Sequence, residues 1–573
     1  MRSVQKHCPG AATPQAKAMR LSKGNFILVL WRASSLGAAL LGAQASAAQK
    51  VFNVADFGAV TDGTTFCTRA IQKAVDAAGT AGGGIVEFPS GSFLSGPLEL
   101  HSGVTLQLDA GATLLGSRDL NDYYSPSAND GKPKPVFHHL IHGEGLHDVT
   151  IRGPGTIDGN GDAFPDPHEQ IKRPHNINFE RCENVLVENV RLRAAGSWMQ
   201  DYKLCTNVVI RGISVFNHVT HNNDGLDVDS CQNVAITDCR IDSDDDGICL
   251  KSTTSVACRH VRISDCTSSS HCNALKLGTE SGGGFVDIVF SNCTVFSPTN
   301  STAINGNQRG EAGIALEIVD GGTLENVSVS DVKIRGVLVP IFLRLGDRGR
   351  PYGRGQRPAV GTFRNVTLKN ITAENCSPLG CAIAGLPGHP IENVSLENIS
   401  LGFEGGGHLL EFEHKVFQPR NKSNGVAGND DPTNTKRRIT ERPEAYPDCR
   451  MFGVLPAYGF YCRHVKGLRF ENVSLRTSTA DARHALMFDD AEAVSISGLD
   501  MEGSPESASL LRLVQTRGAS IGGIAIRSSA DLLLQLEGEQ TKNIVLDTSG
   551  VRGVKRIFAT TADVPVDALV HKP

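Results

Sequence analysis

The sequence predicts an all-β fold, a single-stranded right-handed parallel β-helix with a short N-terminal capping helix, and a repeat and the composition both point that way. A nine-residue unit begins Asn-Val in most copies, alternates apolar and polar positions and in most copies places Asn, Asp or Gly at its sixth residue. It recurs as NVLVENVRL at Asn184, NVVIRGISV at Asn207, NVAITDCRI at Asn233, HVRISDCTS at His260 and FVDIVFSNC at Phe285, at spacings of 23, 26, 27 and 25 residues. Further copies follow at Asn326, Asn365, Asn393 and Gly467, with wider gaps where loops intervene. Alternation of period two is strand periodicity, and a fixed period of 20 to 50 residues marks stacked architecture. One coil of that length cannot bury its own apolar face, so consecutive coils pair edge to edge and share a core. The composition agrees: 61 Gly against six Met and two Trp in 573 residues suits short strands and tight turns.

Along the chain, residues 1–47 read as a leader. Lys17, Arg20 and Lys23 precede the apolar stretches Phe26 to Trp31 and Ser34 to Leu41, and Ala45-Ser46-Ala47 supplies a small-residue cleavage pattern. A secreted or periplasmic location follows as an expectation. Residues 48–573 are expected to form one elongated domain, beginning near Val51. Thr68 to Ala78 has 3.6-residue periodicity, which predicts a short helix able to cover the open end of the core. The segment from Gly82 to Ser117 is strand-rich, and the repeats follow it. From Gly405 to Asp448 the chain is polar, rich in Gly, Pro, Lys and Arg, and without strand period; an insertion of that length reads as a functional loop that could close one end of a cleft.

The recurring Asn and Asp at equivalent turns are expected to bond neighbouring backbone and stack into ladders. That reading also covers the Asn-x-Ser/Thr triplets at Asn326, Asn365, Asn370, Asn393 and Asn398, which otherwise match glycosylation acceptors. Fifteen scattered cysteines show no zinc-type C-x-x-C spacing and read as small buried core residues, with one or two disulfides among them. A formal charge of −5 and a pI near 6.4 give no global attraction to nucleic acid or anionic membranes. No later stretch reaches the length of a membrane span. The expected protein is a monomer with no cofactor and no bound metal.

Chemistry concentrates in two acidic segments, His221-Asn222-Asn223-Asp224-Gly225-Leu226-Asp227-Val228-Asp229 and Asp242-Ser243-Asp244-Asp245-Asp246-Gly247. Asp245 and Asp246 lie 21 and 22 positions after Asp224, close to one coil, so coils in register would set these carboxylates side by side. Glycoside hydrolysis needs such a group, one carboxylic acid to protonate the departing oxygen and a carboxylate to activate water or attack carbon. Crowded like charges also raise the pKa of one member. Asp227, Asp229 and Asp238 are read as ladder residues outside the site. Calcium is the competing reading of D-S-D-D-D-G, but position twelve of that loop is Thr253 rather than Glu.

From about Val51 to Leu499 the sequence resembles family twenty-eight of the glycoside hydrolases, the polygalacturonases and related pectin hydrolases. The likeness rests on VADFGAVTDG, AIQKA, GPLELHSGVTLQLDAGATLLGS, the Asn-Thr-Asp-like Asn222-Asn223-Asp224 and the Gly-Asp-Asp-like Asp244-Asp245-Asp246. The resemblance implies hydrolysis of a pectic polysaccharide or oligosaccharide by single displacement with inversion, with Asp245 as general acid and Asp224 and Asp246 activating water.

Two motifs depart from the family. Its Gly-His-Gly is matched loosely by Ser270-His271-Cys272, whereas gapless anchoring on Gly278 puts Asn273 at the His position. Its Arg-Ile-Lys, which holds a galacturonate carboxylate, falls where this chain has Leu316-Glu317-Ile318-Val319. A Glu there repels a uronate and can accept hydroxyl hydrogen bonds from a neutral sugar. His271, Lys251, Lys276, Glu317 and Arg344 are therefore the candidate substrate-binding residues. A calcium-dependent polysaccharide lyase and a noncatalytic carbohydrate-binding β-helix remain as alternatives, because architecture does not settle activity.

Overall fold

The computed structural model describes residues 49–126, 135–164, 172–299, 301–353, 355–407 and 439–573. The expected leader and the middle of the Gly405 to Asp448 insertion lie outside the described residues. Within Gln49 to Pro573 the chain winds as a right-handed parallel β-helix: 39 strands join in one continuous parallel network, and two short strands pair antiparallel beside it. Among the described residues no helix is long and apolar enough to cross a membrane.

The helix α1 (Thr68–Thr80) lies where its periodicity predicts, with Ile71, Ala74, Val75 and Ala78 fully buried against the first coils. Thr68 is its first helical residue rather than its N-cap. Its hydroxyl instead accepts a hydrogen bond from the Gly96 amide at 2.7 Å, tying the cap to the sheet.

The coils between Ile177 and Phe296 contribute three short strands each, later coils merge them into longer ones such as Thr323–Arg335 and Ala457–Thr479, and side chains alternate into the core and out. Apolar positions stack in columns, as in Val185–Val208–Val234–Val261–Ile288–Val327. The Asn positions of the repeat turn the backbone through the left-handed region, φ 57° at Asn184 and 58° at Asn207 and Asn233, where Asn is tolerated better than most residues. Their amides form the expected ladder: Asn233 donates to Asn207 at 3.2 Å and Asn207 donates to Asn184 at 3.1 Å. Asn326, Asn365, Asn370, Asn393 and Asn398 are part of the same kind of ladder. The expectation of one or two disulfides is corrected: no disulfide joins the fourteen cysteines among the described residues, and all fourteen are buried. They line up inside the coils instead, Cys182 and Cys205 each receiving the sulfur of the next rung at its own amide.

One ladder positions the functional residues. Strands β1 (Gln200–Lys203), β2 (Leu226–Asp229), β3 (Ile248–Ser252), β4 (Asn273–Ser281), β5 (Ala312–Ile318) and β6 (Val339–Leu345) pair in that order on successive coils. Asp201 pairs with Asp227, Asp227 with Cys249, Cys249 with Lys276, and Lys276 with Ala315. Two positions further along the strands, Asp229 pairs with Lys251 and Glu317 with Arg344.

Candidate active site

The residue just before β2 and the residues just before β3 carry the carboxylates. Leu226 pairs with Ile248, a register offset of 22, so Asp246 lies on the rung next to Asp224. The Gly225 amide donates to the Asp246 carbonyl at 2.8 Å, and the Gly247 amide donates to the Asn273 carbonyl at 2.8 Å. Asp224, Asp246 and Asn273 thus form one column at the edge of the ladder. Asp245 precedes Asp246 in the turn, which is held by two further bonds. The Asp245 amide donates to the Asn223 side-chain oxygen at 3.1 Å, and the Asp246 amide donates to Asp245 Oδ1 at 3.1 Å.

The three acids differ in their partners. Lys251 Nζ lies 2.8 Å from Asp224 Oδ2, and Lys276 Nζ lies 2.7 Å from Asp246 Oδ2. Both lysines are almost fully buried and both are pushed well above their usual range; burial opposes the charge, but the facing carboxylates outweigh it. Among the described residues no ammonium or guanidinium sits against Asp245; its carboxylate takes a hydrogen bond from the Asn305 side chain at 2.7 Å. Burial, reinforced by the charges of Asp224 and Asp246, drives the Asp245 carboxyl well above the usual carboxylate range. Asp224 is raised too, by burial and then Asp246, while Lys251 pulls the other way.

Asp227, read from the sequence as a ladder residue outside the site, lies beside the candidate acids and shares Lys251 with Asp224. It is fully buried, and Lys251 Nζ lies 2.8 Å from its Oδ1. Burial and the neighbouring Asp224 carboxylate raise it well above the usual range. The cause is strand alternation: Asp227 points out of the same strand as Asp229, onto a face lined by other polar groups rather than by open solvent.

The candidate substrate-binding residues divide. Lys251 and Lys276 hold the acids themselves, and Lys251 Nζ also lies 3.6 Å from the centre of the Trp198 ring. Glu317 is 1% exposed, and among the described residues one of its oxygens has no hydrogen-bond partner; burial lifts its carboxyl to about 8 even though Lys276 opposes the shift. His271 is fully buried, with Nδ1 2.9 Å from the Asn307 carbonyl and Nε2 3.2 Å from the Ser301 hydroxyl. The group placed against Asp246 is Asn273, whose side chain donates to Asp246 Oδ1 at 2.8 Å. Arg344 differs most from expectation. It is buried, and its guanidinium is taken up by the carbonyls of Ala384, Gly385, Glu441 and Arg442, so its donors serve the backbone.

Several residues of the site carry no sequence signal of their own. Trp198 stacks beside His175, 5.2 Å between ring centres, and His175 beside His139 at 4.2 Å, making an aromatic row next to Lys251. Asn305 reaches Asp245 from 60 residues away. Tyr446, from the end of the long insertion, brings its hydroxyl to 3.4 Å from Lys276 Nζ, and Arg344 anchors the same segment through Glu441 and Arg442.

The model of the glycosyl hydrolases family 28 matches residues 83–416, more than half of the chain. A probable polygalacturonase of Vitis vinifera is 34% identical over 215 residues, which cover 35% of this chain and 44% of the relative. An exo-poly-alpha-D-galacturonosidase of Dickeya chrysanthemi is 28% identical over 258 residues, covering 35% and 42%. The chain thus spans less than half the length of these curated relatives. Among solved structures, an exopolygalacturonase of Thermotoga maritima matches with a TM-score of 0.52 at 24% identity, over 62% of this chain and 87% of that one, a likeness of fold. With the family model spanning most of the coils that carry the acid column, the chain belongs to glycosyl hydrolase family 28.

Proposed function

We propose that this protein hydrolyses a glycosidic bond in a pectic polysaccharide or oligosaccharide, of galacturonide or rhamnogalacturonan type, by single displacement with inversion. The observation that carries the reading is the unequal pairing of three adjacent acids. Asp224 and Asp246 each lie against a buried lysine ammonium, on the side of the column where a water could be oriented and deprotonated, and the Lys251 charge opposes the burial-driven rise of the Asp224 carboxyl. Asp245 has no such cation, and burial beside two carboxylates keeps its proton on, as a general acid needs. In the forward step Asp245 gives its proton to the departing glycosidic oxygen while water, deprotonated by Asp224 and Asp246, attacks the anomeric carbon from the opposite face.

The next rung bears on the sugar. A Glu317 carboxyl lifted to about 8 is protonated at neutral pH, and it neighbours a Lys276 already held by Asp246. A neutral carboxyl does not repel a uronate, so the residue that replaces the family's basic motif does not count against a galacturonide. A secreted or periplasmic location is part of the proposal and rests on the leader pattern of residues 1–47.

The test is product analysis on defined pectic oligosaccharides, read by mass and by ultraviolet absorbance. Hydrolysis yields fragments whose masses sum to the substrate plus one water. Fragments with no added water, absorbing as unsaturated sugars, would mean elimination and overturn the reading.

A further inference from the structure

At one corner of the coil, three chemically matched residues stack where apolar or small residues would suffice. Asn217 pairs with Ser243 and Ser243 with Ser270 on consecutive rungs, so the residues that follow them, His218, Asp244 and His271, occupy the same position on three successive coils. One ligand atom from each lies within 4.8 Å of the others. The His218 side chain is 3% exposed, and Asp244 and His271 are fully buried.

The hydrogen bonds around the cluster are those of a prepared ligand set. Metal-binding imidazoles usually donate their second N–H to a carboxylate or a carbonyl, which fixes the tautomer. His218 Nε2 meets Asp242 Oδ1 at 3.0 Å, and His271 Nδ1 meets the Asn307 carbonyl at 2.9 Å. Each ring is thereby left with one nitrogen for another purpose. Among the described residues His218 Nδ1 is buried with no hydrogen-bond partner, a costly state for a polar atom unless something else binds it. His271 Nε2 meets the Ser301 hydroxyl, at 3.2 Å. Asp244 accepts the amides of Ile304 and Asn305, one on each oxygen, which leaves further lone pairs on both.

We propose that His218, Asp244 and His271 form a buried site for a single divalent transition-metal ion. Two imidazoles and one carboxylate suit zinc. Zinc holds nitrogen at roughly 2.0–2.1 Å, so side chains at this spacing close on it by about an ångström or less. The ion would staple three consecutive turns, and the middle one runs directly from Asp244 into Asp245 and Asp246. Its role is to fix the turn that carries the acids rather than to meet substrate.

The full-length protein, stripped with chelator and dialysed, is titrated with zinc alone by calorimetry, with metal content counted by mass spectrometry. Cobalt serves as a spectroscopic probe of tetrahedral geometry. The expectation is a saturable zinc site that raises the melting temperature and is lost in His218→Asn and in His271→Asn. Asp242→Asn, which disturbs only the outer hydrogen bond, should weaken zinc about 10–100-fold. A chelator-stripped His218→Asn protein that melts as cooperatively as the stripped parent separates loss of the site from loss of the fold. Absence of saturable zinc binding, or binding equal in the parent and in the His218→Asn/His271→Asn double variant, overturns the proposal.

Discussion

Replacing Glu317 with Gln should make the protein more resistant to unfolding, and increasingly so as pH rises. The folded carboxyl sits at about 8 against an ordinary 4.5 because it is buried with one oxygen unpartnered. Below pH 4.5 both folded and unfolded chains hold the proton, and the residue adds no pH dependence. Between 4.5 and 8 the unfolded chain releases the proton while the folded chain keeps it, so native stability falls with rising pH and levels off above 8. At about 1.4 kcal/mol per pH unit, that span bounds the penalty at roughly 5 kcal/mol. Gln fills the same volume and never ionises, so the gap between Glu317→Gln and the parent should be near zero at pH 4.5 and several kcal/mol at pH 8. Urea unfolding at pH 4.5, 6.5 and 8 reads this directly. Two stability curves that run parallel across that range would refute the reasoning.

The same geometry sets the effect of two further substitutions and the pH profile of the parent. Lys251→Met leaves Asp224 and Asp227 buried without their shared cation, which should cost about 3–5 kcal/mol of stability. It should also move the acid limb of kcat/KM to higher pH, since Lys251 is the charge that opposes the burial-driven rise of the Asp224 carboxyl. In the parent, the alkaline limb of kcat/KM should lie well above the ordinary carboxylate range, because the Asp245 proton is lost only as pH rises through its elevated pKa. Asn207→Ala puts a less tolerant residue at φ 58° and removes two ladder bonds, for a loss of about 2–3 kcal/mol; kcat measured on folded protein should be unchanged.

The coil and its register were legible because burial enforces a period on the sequence. Apolar residues must return every 23 to 27 positions to keep one core continuous, and the same period that exposes the repeat predicts that Asp224, Asp245 and Asp246 meet. What the period cannot tell is whether an outward-facing residue looks at solvent or at a second wall. Asp227 shares the strand and the alternation of Asp229, and only the three-dimensional position of Lys251 distinguishes a site residue from a ladder residue. The same limit applies to Arg344, whose charge suggested a ligand for substrate while the segment from Glu441 to Arg442 supplies carbonyls that engage it. Trp198, Asn305 and Tyr446 come from turns and long connections, where no periodicity constrains the chain. His271 was singled out for its chemistry, yet its neighbours on the adjacent coils, His218 and Asp244, became visible as partners only through the ladder.

The central claim is that Asp245 delivers the proton that breaks the glycosidic bond. Turnover and oligosaccharide affinity measured together on Asp245→Asn test it most directly, because the amide keeps the shape and removes the acid. The expected result is a fall in kcat of about a hundredfold to ten-thousandfold with affinity retained. A variant that turns over within tenfold of the parent would contradict it.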